Sequence, residues 1–266
     1  MTTEYVFDTG SDPGHEQVVQ LAALYDDETA RQLDRAGDGR GLRCLDIGAG
    51  NGSVAAMLAQ RAGPDGRVIA ADIEPRYVSE APGVTVVRHD INDGVPAGGP
   101  YELIHARLVL MHLLRRDEVL SSLAGALAPG GHLVIGDLGE RLPIVTGAPS
   151  DDAAELVERV IRIGMTVLAP KVGMSFDWAE GLASHLSDAG LVDVSADRVS
   201  RACRGGTPGC LLFRSYALQL EDLLRGVGVT VAEIERFVEL MSDPALSMTF
   251  YELIYASGRK PAGGAR

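Results

Sequence analysis

The amino-acid sequence predicts an α/β fold, a doubly wound and mainly parallel sheet, on three observations. From residue 43 short apolar runs alternate with helical stretches, the central runs are apolar without period-two alternation, and the first run feeds a glycine-rich turn. Strands that alternate with helices need crossover connections, and these place helices on both faces of a parallel sheet.

Taken in order, the runs predict strands at 43–47, 67–71, 84–88, 101–106 and 131–136, with helices near 53–62, 75–79 and 115–128. Cys44-Leu45 and Leu133-Val134-Ile135 are apolar without alternation, as strands covered on both faces are. Pro129-Gly130-Gly131 reads as a tight turn separating helix from strand. Ahead of the first strand, Val18, Val19, Leu21, Ala22, Leu24 and Leu33 fall at roughly helical spacing, which predicts one or two amphipathic helices over 16–36. After Asp137 the rhythm breaks. An amphipathic helix is expected over 151–168, another at 177–189, a strand at 191–196, helices near 209–226 and 230–242, and a final strand over 248–257. This divides the chain into an N-terminal helical lid (1–40), a ligand-binding core (41–140), a remainder with inserted helices forming a second pocket (141–260) and a flexible tail (261–266).

A chain of 266 residues, 46% of them hydrophobic, can bury one sizeable core. With 24 Lys+Arg against 37 Asp+Glu the net charge is −13, a field that repels phosphate polymers, so no nucleic-acid partner is expected. Cys44, Cys203 and Cys210 form no C-x-x-C pair, which fits a reduced protein without disulfide framework or zinc site. The polar, acidic N-terminus is no signal peptide, and no apolar run reaches the ~18 residues of a membrane span, so a soluble, cytoplasmic protein is expected.

The sharpest motif is Leu45-Asp46-Ile47-Gly48-Ala49-Gly50-Asn51-Gly52-Ser53, a strand running through D-x-G-x-G-x-G into a helix. Glycines at alternate positions allow a tight turn and close ligand approach, and an ordinary strand-to-helix turn needs one of them rather than three. The spacing differs from the dinucleotide fingerprint G-x-G-x-x-G, which counts against a nicotinamide-dependent reductase. Acidic Asp46 beside the loop suits a cationic ligand better than a diphosphate. Asp72 ends the second strand at the distance, about 20 residues or slightly more, of a carboxylate that accepts from ribose hydroxyls. Its structural alternative is to cap a helix entering at Pro75. Asp90, at the third strand tip, can accept from an adenine amino group with Ile91 against the ring, although Asp90-Ile91-Asn92-Asp93-Gly94 is also rich in turn formers.

With Tyr101-Glu102-Leu103-Ile104 and Leu127-Ala128-Pro129-Gly130-Gly131 following in order, the segment 40–140 resembles the class I S-adenosylmethionine-dependent methyltransferases of the bacterial small-molecule type. The resemblance implies S-adenosylmethionine as cofactor and methyl transfer to a small, aromatic or natural-product-like molecule. It implies that Gly48, Ala49, Gly50, Asn51 and Gly52 lie under the methionine and ribose, with Asp46 near the methionine amino group. Asp72 with Ile73 would hold the ribose, Asp90 with Ile91 the adenine, and the backbone at Ala106-Arg107 would sit beside the sulfonium. Tyr5, ahead of the helical cover, would complete the site.

His112, a few residues after the fourth strand, is the candidate general base, an imidazole titrating near neutrality, with a structural role equally open. His89 and His105 read as strand-end residues without a role, and His15, His132 and His185 as surface. Phe176, Trp178, Phe213, Tyr216, Phe250 and Tyr251 are candidates for an apolar acceptor pocket or for simple core. No set of Asp and Asn residues points to a metal. Three alternatives remain open at this level: a binding protein that does not methylate, a regulatory role, and a macromolecular acceptor. Association as a homodimer is also left open.

Overall fold

The computed structural model describes residue 7 and residues 11–36 and 41–262. Tyr5 and part of the tail lie outside these residues. The helix α1 (Asp12–Arg35) is a single 24-residue helix, where the sequence allowed two. Ser11 caps it by accepting from the Gly14 amide at 3.2 Å, and Pro13 suits its first turn.

Five strands follow in parallel, β1 (Arg43–Ile47), β2 (Arg67–Asp72), β3 (Val84–Arg88), β4 (Tyr101–Arg107) and β5 (Leu127–Leu138). Two more, β7 (Val192–Val199) and β10 (Leu253–Arg259), complete a seven-stranded sheet of order β3-β2-β1-β4-β5-β10-β7, with β10 antiparallel to both neighbours. The centre is covered on both faces: Cys44, Leu45, Ile104, Leu133, Val134 and Ile135 have no exposed surface. The strand order reverses between β1 and β4, which opens a crevice at their carboxyl ends.

The crossovers include α2 (Ser53–Ala62) and α3 (Arg116–Ala126). The expected helix at 75–79 is only a 3-10 turn, Pro75–Tyr77. Pro82 disfavours α geometry in the residue before it, leaving too few residues between Pro75 and Pro82 for a stable helix. Pro129-Gly130-Gly131 does not separate α3 from the strand, because β5 already begins at Leu127. The pairing instead jumps from Tyr101↔Leu127 to Leu103↔His132, a bulge with Gly130 at φ +81°.

Beyond β5, α4 (Asp151–Ile163) runs through a π-helical turn at Gly164–Leu168 into the short α5 (Ala169–Lys171), so the expected helix at 151–168 changes its winding. A 3-10 turn at Asp177–Gly181 leads into α6 (Leu182–Asp188). Then come α7 (Pro208–Gln219), α8 (Glu221–Gly226) and α9 (Val231–Leu240). A three-stranded sheet of β6 (Val145–Gly147), β9 (Ser247–Thr249) and β8 (Ala202–Arg204) was not expected. It splits the expected strand at 248–257 in two, because residues 250–252 carry the chain from one sheet to the other.

α1 packs on α7 and α2 and is bonded to both layers. Ser215 Oγ donates to the Pro13 carbonyl at 2.7 Å, and Gln219 Nε2 donates to Gln17 Oε1 at 2.8 Å. Thr29 Oγ1 and Tyr255 Oη, both buried, lie 2.5 Å apart and join α1 to β10. Tyr255→Phe is expected to cost about 1–2 kcal/mol of stability in urea unfolding, since Thr29 loses a buried partner. A wild-type midpoint in that variant would show that α1 docks without this bond.

Candidate active site

The glycine loop leaves β1 with Gly48, Gly50 and Gly52 all at positive φ, +69°, +56° and +85°. A Cβ on Gly48 would meet Val109 Cγ2 at 2.4 Å, and one on Gly52 the Ser79 amide nitrogen at 2.9 Å. Sterics and backbone conformation thus require glycine at both. Asp72 ties the loop to the tip of β2: Oδ2 accepts from the Gly50 amide and Oδ1 from the Glu74 amide, each at 2.8 Å. An ionised carboxylate offers about four acceptor positions, so two backbone bonds leave room for ligand hydroxyls. Burial raises the Asp72 pKa above the usual carboxylate value, against the pull of those amides. The capping alternative for Asp72 is replaced, since Glu74 is the residue that caps the turn at Pro75. Asp90 does cap its own turn: Oδ1 accepts from the Asn92 amide at 2.9 Å, beside buried Ile91.

Where the winding reverses, Asp46 and His105 are register partners on β1 and β4. Asp46 Oδ1 and His105 Nδ1 are 2.7 Å apart, with both side chains almost fully buried. Their other polar atoms, Asp46 Oδ2 and His105 Nε2, have no hydrogen-bond partner among the described residues. His105 is therefore inside β4, not the strand-end residue the sequence suggested. Two residues on, Arg107 Nη1 donates to Asp26 Oδ1 at 3.0 Å and to Thr29 Oγ1 at 2.7 Å, both on α1.

The chain leaves β4 through Leu108, a non-glycine residue at φ +57°. Asp137, fully buried at the end of β5, holds the segment that follows. Its Oδ1 accepts from the Val109 amide at 3.1 Å and its Oδ2 from the Met111 amide at 3.2 Å. Burial pushes the Asp137 carboxyl up to about 7, with these amides pulling the other way. The next residue is His112, half-buried and edge-on to Phe7 with ring centroids 6.2 Å apart. Burial, aided by the Arg116 charge, pushes its pKa down to about 4, which corrects the expectation of an imidazole titrating near neutrality.

These groups share one cavity of about 860 Å³. Its polar end is walled by Asp46, Gly48–Asn51, Asp72, Ile73, Asp90, Ile91 and Arg107, and His112 lies on the same wall. Gly52 shapes the loop without lining the cavity, and Ala106 is buried inside β4. The other end is apolar, with Leu138, Val160, Leu168, Phe176, Phe213, Tyr216, Phe237 and Tyr251. Of the expected aromatic residues, Trp178 and Phe250 belong instead to the core. The sequence reading missed His105 and Asp137. An acid closing the apolar run of β5 was a visible signal for Asp137, whereas His105 acquires its place only through register with Asp46. Among the described residues no group of three or more His, Cys, Asp or Glu could hold a metal ion, and no helix is long and apolar enough to cross a membrane.

The strand order and glycine-loop crevice are those of a class I S-adenosylmethionine-dependent methyltransferase. The chain belongs to the methyltransferase-domain family, whose sequence profile matches residues 19–196. It is 36% identical over 103 residues to the methyltransferase str2 of Strobilurus tenacellus, a match spanning 38% of this chain and 37% of that protein. It is 29% identical over 202 residues to the 27-O-demethylrifamycin SV methyltransferase of Amycolatopsis mediterranei, 69% of this chain and 67% of that one. Among solved structures, phosphoethanolamine N-methyltransferase 2 of Haemonchus contortus, in complex with phosphomonomethylethanolamine and S-adenosylhomocysteine, superposes with TM-score 0.58 at 15% identity, covering 96% of this chain and 58% of that one. The YcgJ protein of Bacillus subtilis superposes with TM-score 0.57 at 16% identity, covering 90% and 100%.

The Asp137 carboxyl sits above its unfolded value of about 3.9, so the native state holds a proton that the unfolded chain releases. Its contribution to stability is present below about pH 4 and is lost as the pH rises through about 7. Relative to wild type, Asp137→Asn is therefore expected to gain stability between pH 4 and 7 in parallel denaturation series. Equal pH slopes for the two proteins would remove Asp137 from this role.

Proposed function

We propose that this chain binds S-adenosylmethionine at the polar end of the cavity and methylates a small, largely apolar molecule held at the other end. The observation that carries this reading is the continuity of the two ends in one cavity, with His112 on its wall. The residues fit the cofactor. The glycine cradle has no space for a Cβ at Gly48 or Gly52, Asp72 and Asp90 keep acceptor capacity for ribose and adenine, and Asp46 keeps an unpartnered buried oxygen for a cationic group. The relative acting on a rifamycin supports an acceptor of natural-product type, and the net charge of −13 weighs against a nucleic-acid acceptor.

When bound, the cofactor supplies an activated methyl group on a sulfonium, so the protein has chiefly to align the two reactants and exclude water. α1, Phe7 and α7 close over the cavity as the lid, through Val18, Leu21 and Tyr216. Asp137 fixes the segment that carries His112 by accepting from the Val109 and Met111 amides. His112 is neutral at pH 7, so a ring nitrogen can accept the proton that a hydroxyl or ammonium acceptor gives up.

His112→Ala is expected to leave S-adenosylhomocysteine affinity unchanged in calorimetry while lowering kcat at least about tenfold. Because protonation of His112 sets in only as the pH falls toward about 4, wild-type kcat/KM should lack an acidic limb between pH 5.5 and 7.5. A limb near pH 6.5 that disappears in the variant would mean an imidazole titrating normally, and full activity of the variant would make His112 structural. Asp72→Ala should weaken S-adenosylhomocysteine by about 1–3 kcal/mol, and unchanged binding would take Asp72 out of the site.

A further inference from the structure

The cavity wall is uneven in charge. Its carboxylates, Asp46, Asp72, Glu74, Asp90 and Asp93, cluster at the polar end, where Arg107, its side chain mostly buried, is the cation. The other lining arginine, Arg115, is exposed and paired with Glu118. Burying a guanidinium among apolar side chains is costly unless its donors are satisfied. Arg107 Nη1 is committed to α1, in an ion pair with Asp26 and a bond to Thr29, and Tyr255 of β10 takes a further bond, which leaves part of the donor set for a ligand. A guanidinium has five N–H donors in a planar fork suited to a carboxylate.

The placement on β4 adds a length. His105 and Arg107 are two residues apart on one strand and so share a face, with backbones about 6.6 Å apart. At one end of that interval lie the unpartnered Asp46 Oδ2 and His105 Nε2, which can face a cation. At the other lies a cation that can face an anion. Separated charges of this order over so short a distance are what an α-amino acid zwitterion presents. Asp46 repels the anionic half of such a ligand, and so do the remaining carboxylates of the wall, which leaves Arg107 to hold it.

Building on the cofactor assignment above, we infer that the Arg107 side chain, rather than the backbone at Ala106-Arg107, binds the methionine carboxylate of the cofactor. Asp26 and Thr29 of α1 orient the guanidinium, so the helix that covers the cavity also positions a cofactor-binding residue. The bound amino-acid end thereby lies between the β1–β4 seam and α1.

The test is calorimetry on the full chain with three ligands: S-adenosylhomocysteine, its carboxyl methyl ester, and methylthioadenosine, which lacks the amino-acid end altogether. The wild type should bind the ester about 10- to 100-fold more weakly than the free acid, the range of a lost charge-assisted bond. In Arg107→Gln that difference should collapse, with methylthioadenosine binding as in wild type and so reporting an intact fold and adenosine site. Equal binding of acid and ester by the wild type would overturn the inference without any variant. So would an undiminished difference in Arg107→Gln. If the wild type binds none of the three ligands, the cofactor assignment itself fails.

Discussion

Parallel pairing of β1 with β4, across the point where the winding reverses, is the constraint on which the site depends. The first three strands are laid down outward on one side and the next begins again on the other, so the loops after β1 and β4 must diverge. The crevice between them exposes backbone groups that two adjacent crossovers on one side would cover. The same pairing sets Asp46 opposite His105 in register. Their 2.7 Å contact needs both residues in the core, where each is almost fully buried. A one-residue slip of either strand would turn its side chain to the opposite face, separate Asp46 from His105 and dismantle the polar floor of the cavity.

Burial then sets the chemistry of the loop after β4. Asp137 and His112 are shifted in opposite directions by the same cause, the carboxyl upward and the imidazole downward, because each loses most when charged in an apolar setting. Both are thereby driven toward their neutral forms. Neither then brings a charge up to the apolar half of the cavity, where a charged side chain would be costly and would hinder entry of an apolar molecule. The polar half differs because backbone amides meet the carboxylates there, as Gly50 and Glu74 do for Asp72.

Much of this was legible along the chain. The succession of parallel strands along the chain, the glycine loop, and the acids Asp72 and Asp90 at strand tips were readable because each rests on a local property: apolar run length, the need for positive φ, or the position of an acid at a strand tip. The failures were local too. The segment 75–79 carried helical residues but lay between two prolines, and 248–257 looked like one strand until residues 250–252 moved the chain between sheets. The strands of the small sheet, three residues each, are too short to show a periodicity of their own.

The sequence by itself determined the α/β class, the glycine cradle and the acids at its rim, since these follow from residue types a few positions apart. Tertiary structure alone decided which distant residues meet. Asp46 reaches His105 across 59 positions, Arg107 reaches Asp26 across 81, and Asp137 reaches Val109 across 28. It also decided the protonation of His112, because depth of burial is a property of packing. Periodicity reports that a side chain turns inward. Which partner it finds there, and how far water is excluded, depends on strand register and helix docking, which no local window of sequence contains.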